Sequence, residues 1–100
     1  MRYDAFRKRL VEAVLNTPGD TSGPLRRAVL DDGAIPPALA GYVDTVKRHA
    51  YKVTDADIAA LQRAGHSDDA LFEITVAAAV GAALHRLDRG MAALRGEEPD

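Results

Sequence analysis

The longest apolar segment of the chain runs from residue 71 to residue 94, and the other predicted helices are expected to pack around it. Between Leu71 and Leu84 the only polar side chains are Glu73 and Thr75. A helix that is apolar around almost its whole circumference must be buried on nearly every side. We therefore predict that this alanine-rich segment is the central helix of the fold, and that another copy of the chain supplies part of its cover.

Apolar residues at helical spacing predict four shorter helices before this segment. No part of the chain alternates apolar and polar residues as a strand would, and no hairpin dipeptide or internal repeat occurs. We predict an all-α domain of about five helices over residues 1–95, followed by a flexible acidic tail over residues 96–100. The limits predicted for the four shorter helices are residues 4 to 16, Pro24 to the Asp31-Asp32-Gly33 stop, Pro37 to Ala50, and Thr54 to Gly65.

Two of the helix starts carry clear capping signals. Thr54 followed by Asp57 has the spacing of a capping box, and Gly65 stands where a glycine is expected just past a helix end. Ser67 is placed to cap the long helix, and Asp68 and Asp69 follow it in the first turn, where the helix dipole favours anions. The sequence thus predicts that a short loop joins the fourth helix to the long one.

Charge and composition argue against nucleic-acid binding, secretion and a membrane location. The formal net charge is −2, and the basic clusters Arg7-Lys8-Arg9, Arg26-Arg27 and Lys47-Arg48 are short, so we interpret them as solvated helix faces and expect no nucleic-acid partner. The first ten residues lack the apolar core of a signal peptide. The run from Ile74 to Leu84, eleven residues with Thr75 as the one polar side chain, is too short to cross a bilayer. We expect a cytoplasmic protein without a membrane partner.

The second half of the chain resembles the carboxymuconolactone decarboxylase / AhpD-like family. The resemblance covers roughly residues 42 to 94 and is carried by the order of a capped short helix, Gly65, the Ser67-Asp68-Asp69 cap and the apolar helix. The segment AGHSDDALFEITVAAAVGAAL is the most similar part. The resemblance implies an all-helical domain that forms homo-oligomers, trimers or hexamers, through its apolar helices.

The thiol chemistry of that family is absent from this chain. When Gly65 is aligned with the family's glycine, Ala50 and Val53 stand in place of the Cys-x-x-Cys pair and Asp57 stands in place of the histidine. The chain has no cysteine, and no glutamate lies between Glu12 and Glu73 to serve the family's proton relay. The family's attack on a peroxide requires a thiolate, which no other side chain here can replace, so we do not expect alkylhydroperoxide reductase activity. The decarboxylase branch does not depend on the cysteine pair.

Three residues are candidates for acid–base chemistry: Glu73, His49 and Tyr51. Glu73 lies in the most apolar segment, where burial would raise its pKa and suit it to proton transfer. The alternative role is a first-turn glutamate stabilised by the helix dipole or paired with an arginine. His49 and Tyr51, together with Asp55 and Asp57, lie at the turn where the family keeps its active site. Their alternative roles are helix capping and cover for the edge of the core.

The remaining histidines do not complete a site. His85 follows Glu73 by twelve residues, about 18 Å along one helix, so the two cannot pair within one chain, although they could across a symmetric interface. His66 lies in the loop after Gly65 and is expected to be exposed. Histidines at positions 49, 66 and 85 show no metal-ligand spacing. We predict no metal site and no cofactor.

Two functional hypotheses follow. The first is an oligomeric binding or interaction module of the AhpD-like type, without peroxidase activity, in which the long helix is the assembly surface. The second is a small-molecule enzyme of the carboxymuconolactone decarboxylase type that uses Glu73 with His49 or Tyr51 in a pocket between helices. A small-molecule ligand is compatible with both. An enzyme would bring Glu73 and a histidine to hydrogen-bond distance in a concave pocket, whereas a module would fill that space with apolar side chains.

Overall fold

The computed structural model of the protein describes residues 2–96. These residues form five α-helices and one short 3-10 turn, and no strand occurs among them, which confirms the predicted all-α class. The long helix is the last of the five. The elements are α1 (Arg2–Asn16), α2 (Gly23–Leu30), α3 (Pro37–His49), the 3-10 turn (Ala50–Lys52), α4 (Asp55–Arg63) and α5 (Asp68–Leu94).

The predicted caps are confirmed. Thr54 and Asp57 form a reciprocal capping box at the start of α4, and Gly65 after its end has a positive φ of 103°. The Ser67 hydroxyl accepts the backbone N–H of Ala70 at the start of α5. One cap escaped the sequence analysis: Ser22 caps α2, which begins one residue before the predicted Pro24. Local side-chain chemistry therefore determines where most of these helices begin.

The core lies where α5 packs against α2 and α3. Ile74, Ala77 and Ala78 of α5 have almost no exposed surface, and Val29 of α2 and Leu39 of α3 lie against them. The side chain of alanine is a single methyl group, so neighbouring helices can approach α5 closely. The hydroxyl groups of Tyr42 and Thr75 add a hydrogen bond of 2.5 Å between α3 and α5. The alanine-rich composition of the long helix thus serves close helix packing.

Gly81 marks the closest approach between two helices. A Cβ atom built at this position would lie 2.5 Å from the backbone carbonyl oxygen of Leu30, at the end of α2. A backbone atom cannot move away as a flexible side chain can. The absence of a side chain at Gly81 is therefore required for this packing.

Helix α1 lies at the periphery. It has no buried residue, and its apolar side chains Leu10 and Val14 are only partly buried. Its polar connection to α5 is made by Asp88, whose carboxylate accepts hydrogen bonds from the hydroxyl of Tyr3 at 2.6 Å and from the guanidinium of Arg7 at 2.9 Å. A half-exposed polar cluster therefore connects this helix to α5, beside the partly buried contact that Val14 makes with the core.

Two expectations about the long helix and the tail are modified. The long helix is not buried on nearly every side: Phe72 is 69% exposed and Leu94 is 81% exposed, so one face remains open in the single chain. The helix is central because its opposite face carries the core. Of the predicted acidic tail, residues 97–100 lie outside the described residues.

Candidate functional site

The carboxylate of Glu73 is held by the loop between α1 and α2. It accepts the backbone N–H groups of Asp20 and Thr21, both at 2.8 Å, and the hydroxyl of Thr21 at 2.5 Å. The backbone at Gly19 lies so close that a Cβ there would come within 2.5 Å of the carboxylate. The loop over residues 17–21 therefore wraps around Glu73, and both carboxylate oxygens are engaged in fixing it.

These hydrogen bonds lower the pKa of Glu73. The Thr21 hydroxyl has the largest effect, the backbone N–H groups of Asp20 and Thr21 follow, and the positive charge of Arg26 acts in the same direction. Each donor stabilises the ionised carboxylate. The expectation that burial would raise this pKa is thus reversed. The alternative role, a first-turn carboxylate engaged in structural contacts, is the one that the geometry favours.

The cavity beside Glu73 has no partner for proton transfer. It measures about 150 Å³, and its lining contains neither a histidine nor a tyrosine. The arrangement expected of an enzyme, with Glu73 and a histidine facing one another in a pocket, is not formed here. The cavity is lined by Ala13, Val14, Thr17, Pro18, Arg26, Phe72, Glu73 and Val76.

His49 and Tyr51 lie at the end of α3 and in the 3-10 turn that follows. Their rings meet edge to face, with centroids 6.0 Å apart, and the ammonium group of Lys52 lies 5.9 Å from the centre of the Tyr51 ring. Tyr51 is 81% exposed, and His49 is exposed as well. Asp57, the nearby carboxylate, is engaged in the capping box of α4. The structure therefore brings His49 and Tyr51 together on an exposed surface. Glu73 does not join them, because its carboxylate accepts hydrogen bonds from the α1–α2 loop.

Arg26 is a polar residue whose role the sequence analysis missed. The sequence predicts a solvated face at this position, but Arg26 is only 6% exposed. Its guanidinium donates to the carbonyl oxygens of Val14 at 2.8 Å and Thr17 at 2.6 Å, where α1 ends. It thus supplies a positive charge and donors to carbonyls that have no partner within the helix. The available signal was its spacing: position 26 shares a helix face with Val29 and Leu30, which are buried.

The loop over residues 17–21 is therefore fixed from two sides. Arg26 binds the end of α1 and the start of the loop, and Glu73 binds its second half. The hydroxyl of Ser67 also donates to the carboxylate of Asp20 at 2.9 Å. This cluster joins α1, α2 and the first turns of α5 in one network. We call this cluster the clamp. Its donors and acceptors form hydrogen bonds with one another, so its role is structural.

Two further properties of the described residues are their capacity to bind a metal ion and to span a membrane. Between residues 2 and 96, no group of three or more histidine, aspartate or glutamate side chains is arranged to hold a metal ion. Within the same range α5 alone is long and apolar enough to cross a membrane by length and composition. The eleven-residue run considered above is part of this longer helix, so its shortness does not decide the question. A core helix of a soluble protein has the same properties, and α5 carries the core described above.

Comparison with known proteins identifies no relative. The chain matches no family model, no curated protein and no solved structure. The AhpD-like resemblance therefore depends on the segment between residues 42 and 94 and stays a prediction.

Proposed function

We propose that the protein is a homo-oligomeric helical interaction module, without peroxidase activity, that assembles through an exposed apolar stripe on α5. The observation that supports this proposal is that the stripe carries no charge along its whole length and is mostly uncovered in the single chain. We call it the α5 stripe. Its seven residues are Phe72, Val76, Ala79, Ala83, Leu87, Gly90 and Leu94.

The spacing of these residues makes one continuous surface. At 100° per residue, all seven lie within about 40° of one line along the helix, and they extend over about 33 Å. Phe72, Leu87 and Leu94 are 69%, 41% and 81% exposed, and of the seven only Val76 is partly covered. Scattered apolar residues on a surface need no explanation, but a contiguous apolar patch is typical of a contact surface.

The α5 stripe is nearly symmetric about Ala83, which favours a second copy of the chain as the occupant. If two α5 helices cross antiparallel with Ala83 at the two-fold axis, Leu87 meets Ala79 of the other copy and Val76 meets Gly90. Large residues then oppose small ones at the centre, and Phe72 meets Leu94 at each end. Antiparallel helices also align their dipoles favourably.

Such a contact uses the same patch on both copies, so it produces pairs. A dimer or a hexamer of three pairs is consistent with it. Of the trimer and hexamer expected from the family resemblance, we therefore favour the hexamer. The soluble, cytoplasmic character that we propose is supported by the core packing of α5 against α2 and α3.

The test of assembly is the mass in solution, measured by light scattering on a sizing column at two protein concentrations. We expect an even multiple of the 10.7 kDa chain mass. Ala83→Glu would set two carboxylates face to face at the axis, and because Ala83 is exposed in the single chain, we expect a folded monomer. Ala56→Glu, which adds the same charge at an exposed position of α4, should leave the mass unchanged.

The outcomes separate the alternatives. A monomeric wild-type protein would contradict the assembly, and a stable trimer would contradict the two-fold pairing. An Ala83→Glu variant that keeps the wild-type mass would show that the α5 stripe is not the interface. Circular dichroism of each variant establishes that the helices are retained.

The decarboxylase-type alternative receives no comparable support. It requires Glu73 to exchange a proton with a substrate, and the carboxylate of Glu73 is occupied by Asp20 and Thr21. It also requires His49 or Tyr51 in the same pocket. We therefore place this activity second to the interaction module.

A further inference from the structure

A groove between α3 and α5 combines an apolar floor with a positively charged rim. Its volume is about 490 Å³, within the range typical of sites for small molecules. Ala40, Val43 and Ala82 contribute apolar surface to it. Four basic side chains also line it: Lys47, Arg48, His85 and Arg86. None of these residues belongs to the α5 stripe or to the Glu73 cluster.

Two carboxylates balance only part of this positive charge. The ammonium group of Lys47 lies 2.7 Å from the carboxylate of Asp32, and its side chain is only 11% exposed, so it is held against the groove wall. The guanidinium of Arg48 lies 2.6 Å from the carboxylate of Asp44. The Lys47 hydrogen bond holds the pKa of Asp32 below its ordinary value, and the charges of Arg48 and His85 act in the same direction.

Arg86 is the cation that remains. It lines the groove one helix residue after His85, is exposed, and makes no ion pair with any residue between 2 and 96. Lys47, Arg48 and Arg86 carry three positive charges against the two negative charges of Asp32 and Asp44. The groove is therefore positive even when His85 is neutral, although the chain as a whole has a net charge of −2.

We propose that this groove binds a small organic anion, a carboxylate or phosphate group carried on an apolar body. Arg86, with Lys47 and Arg48 beside it, would hold the oxyanion, because a guanidinium offers paired donors to two oxygens of such a group. The apolar body would lie against Val43 and Ala82. This ligand class differs from that of a protein partner, so the inference is independent of the assembly through the α5 stripe.

The test is a titration followed by two-dimensional ¹H–¹⁵N spectra of the full-length protein. The probes are 1-naphthyl phosphate and 1-naphthoate, with inorganic phosphate and the neutral 1-naphthol as comparison arms. We expect saturable shifts for the two organic anions, concentrated at Gly33, Lys47, Gly81 and His85. If 1-naphthyl phosphate binds more tightly than 1-naphthoate, the groove prefers a phosphate group, and the reverse order indicates a carboxylate. Binding by 1-naphthol as tight as that of the anions would overturn the proposal, as would equal binding of inorganic phosphate and naphthyl phosphate.

A matched pair of variants tests the site itself. Arg86→Gln should weaken binding of the better organic anion roughly fivefold, which is the effect of losing one partly exposed charged contact. Arg89→Gln removes the same charge from the same helix, at an exposed residue outside the groove, and should leave the affinity within about twofold. Equal weakening by both variants would mean that the anion responds to net charge alone, and shifts spread over all basic residues would contradict the site.

Discussion

The two halves of α5 differ in how they are held. Residues 68–81 pack against α2 and α3 and are fixed by the loop over residues 17–21, whereas in residues 82–94 only Leu84 and Ala92 are buried. The polar contacts differ in the same way. Glu73 in the first half accepts two backbone N–H groups. Asp88 in the second half accepts side-chain donors, and its ion pair with Arg7 is about 40% exposed on each side.

This difference shows how one helix can serve two purposes. The first half of α5 packs against α2 and α3 and thereby stabilises the fold. Its other face is exposed, although these contacts already hold this part of the helix in place. The second half has little of its own chain around it, so Leu87 and Leu94 remain available for another molecule. Stability should therefore depend on residues around the first half, and assembly should depend on the α5 stripe.

The largest expected effect concerns the clamp around the first half. Arg26→Met removes the buried guanidinium and leaves the carbonyl oxygens of Val14 and Thr17 without their donors. We expect a loss of about 3 kcal/mol in the free energy of unfolding, measured by urea denaturation. The neighbouring Arg27→Met removes an exposed ion pair with Asp31 and should cost less than about 0.5 kcal/mol.

Equal effects of these two variants would contradict the clamp. Arg26 has one nitrogen, Nε, that is buried without a hydrogen-bond partner. Part of the cost of burying the guanidinium is therefore not compensated, and the expected loss reflects the stranded carbonyls more than the net contribution of the arginine.

Two glycines of α5 give the next effect. Gly81→Ala drives a methyl group against the carbonyl of Leu30 and should lower the free energy of unfolding by about 2 kcal/mol. Measured in the monomeric Ala83→Glu background, where Gly90 faces no second copy, Gly90→Ala meets no atom within 4 Å and should raise the free energy of unfolding by about 0.5 to 1 kcal/mol, since alanine is the better helix former. Opposite signs in thermal unfolding would support the division of α5 into two halves. Stabilisation by both changes would mean that α2 and α5 are not closely packed at Gly81.

Much of the fold was predictable because its signals are local. The capping box at Thr54, the Ser67 cap and the glycine after α4 depend on residues within a few positions of one another, and each is found in the structure. The apolar spacing that predicts a helix is local too. The pattern did not reveal which face of α5 is covered, because that depends on how much surface four short helices can supply.

The candidate site was less predictable because its partners are distant in sequence. Glu73 lies more than 50 residues from the loop that binds it, and nothing near Glu73 indicates those donors. An apolar segment taken alone predicts a raised carboxyl pKa, and hydrogen-bond donors from a distant part of the chain reverse that shift at Glu73. The groove between α3 and α5 escaped notice for the same reason, since Lys47 and Arg86 converge only after folding.

A smaller and more specific effect than the loss at Gly81 is the pH dependence contributed by Glu73. Its pKa in the folded protein is lowered, so its contribution to stability is full above the ordinary glutamate pKa of about 4.3 and is lost as the pH falls through the lower folded value. Glu73→Gln keeps the size of the side chain but not its charge, and it should cost about 1 to 2 kcal/mol at pH 7. As the pH falls through that lowered folded value, wild-type Glu73 becomes protonated and resembles glutamine, so the difference should shrink.

Asp88→Asn is the matched variant in the second half of α5. The Arg7 hydrogen bond lowers the pKa of Asp88, with a smaller contribution from Tyr3, so the sign of its pH dependence is the same. Because this pair is about 40% exposed, solvent weakens it, and we expect a cost of about 0.5 kcal/mol at pH 7. Urea unfolding of both variants between pH 7 and pH 3.5 makes the comparison. If the Glu73→Gln difference does not change with pH, the loop over residues 17–21 recognises the shape of the Glu73 side chain and not its charge. If Asp88→Asn costs more than Glu73→Gln, the second half of α5 is the better anchored half, and the division of the helix proposed here is reversed.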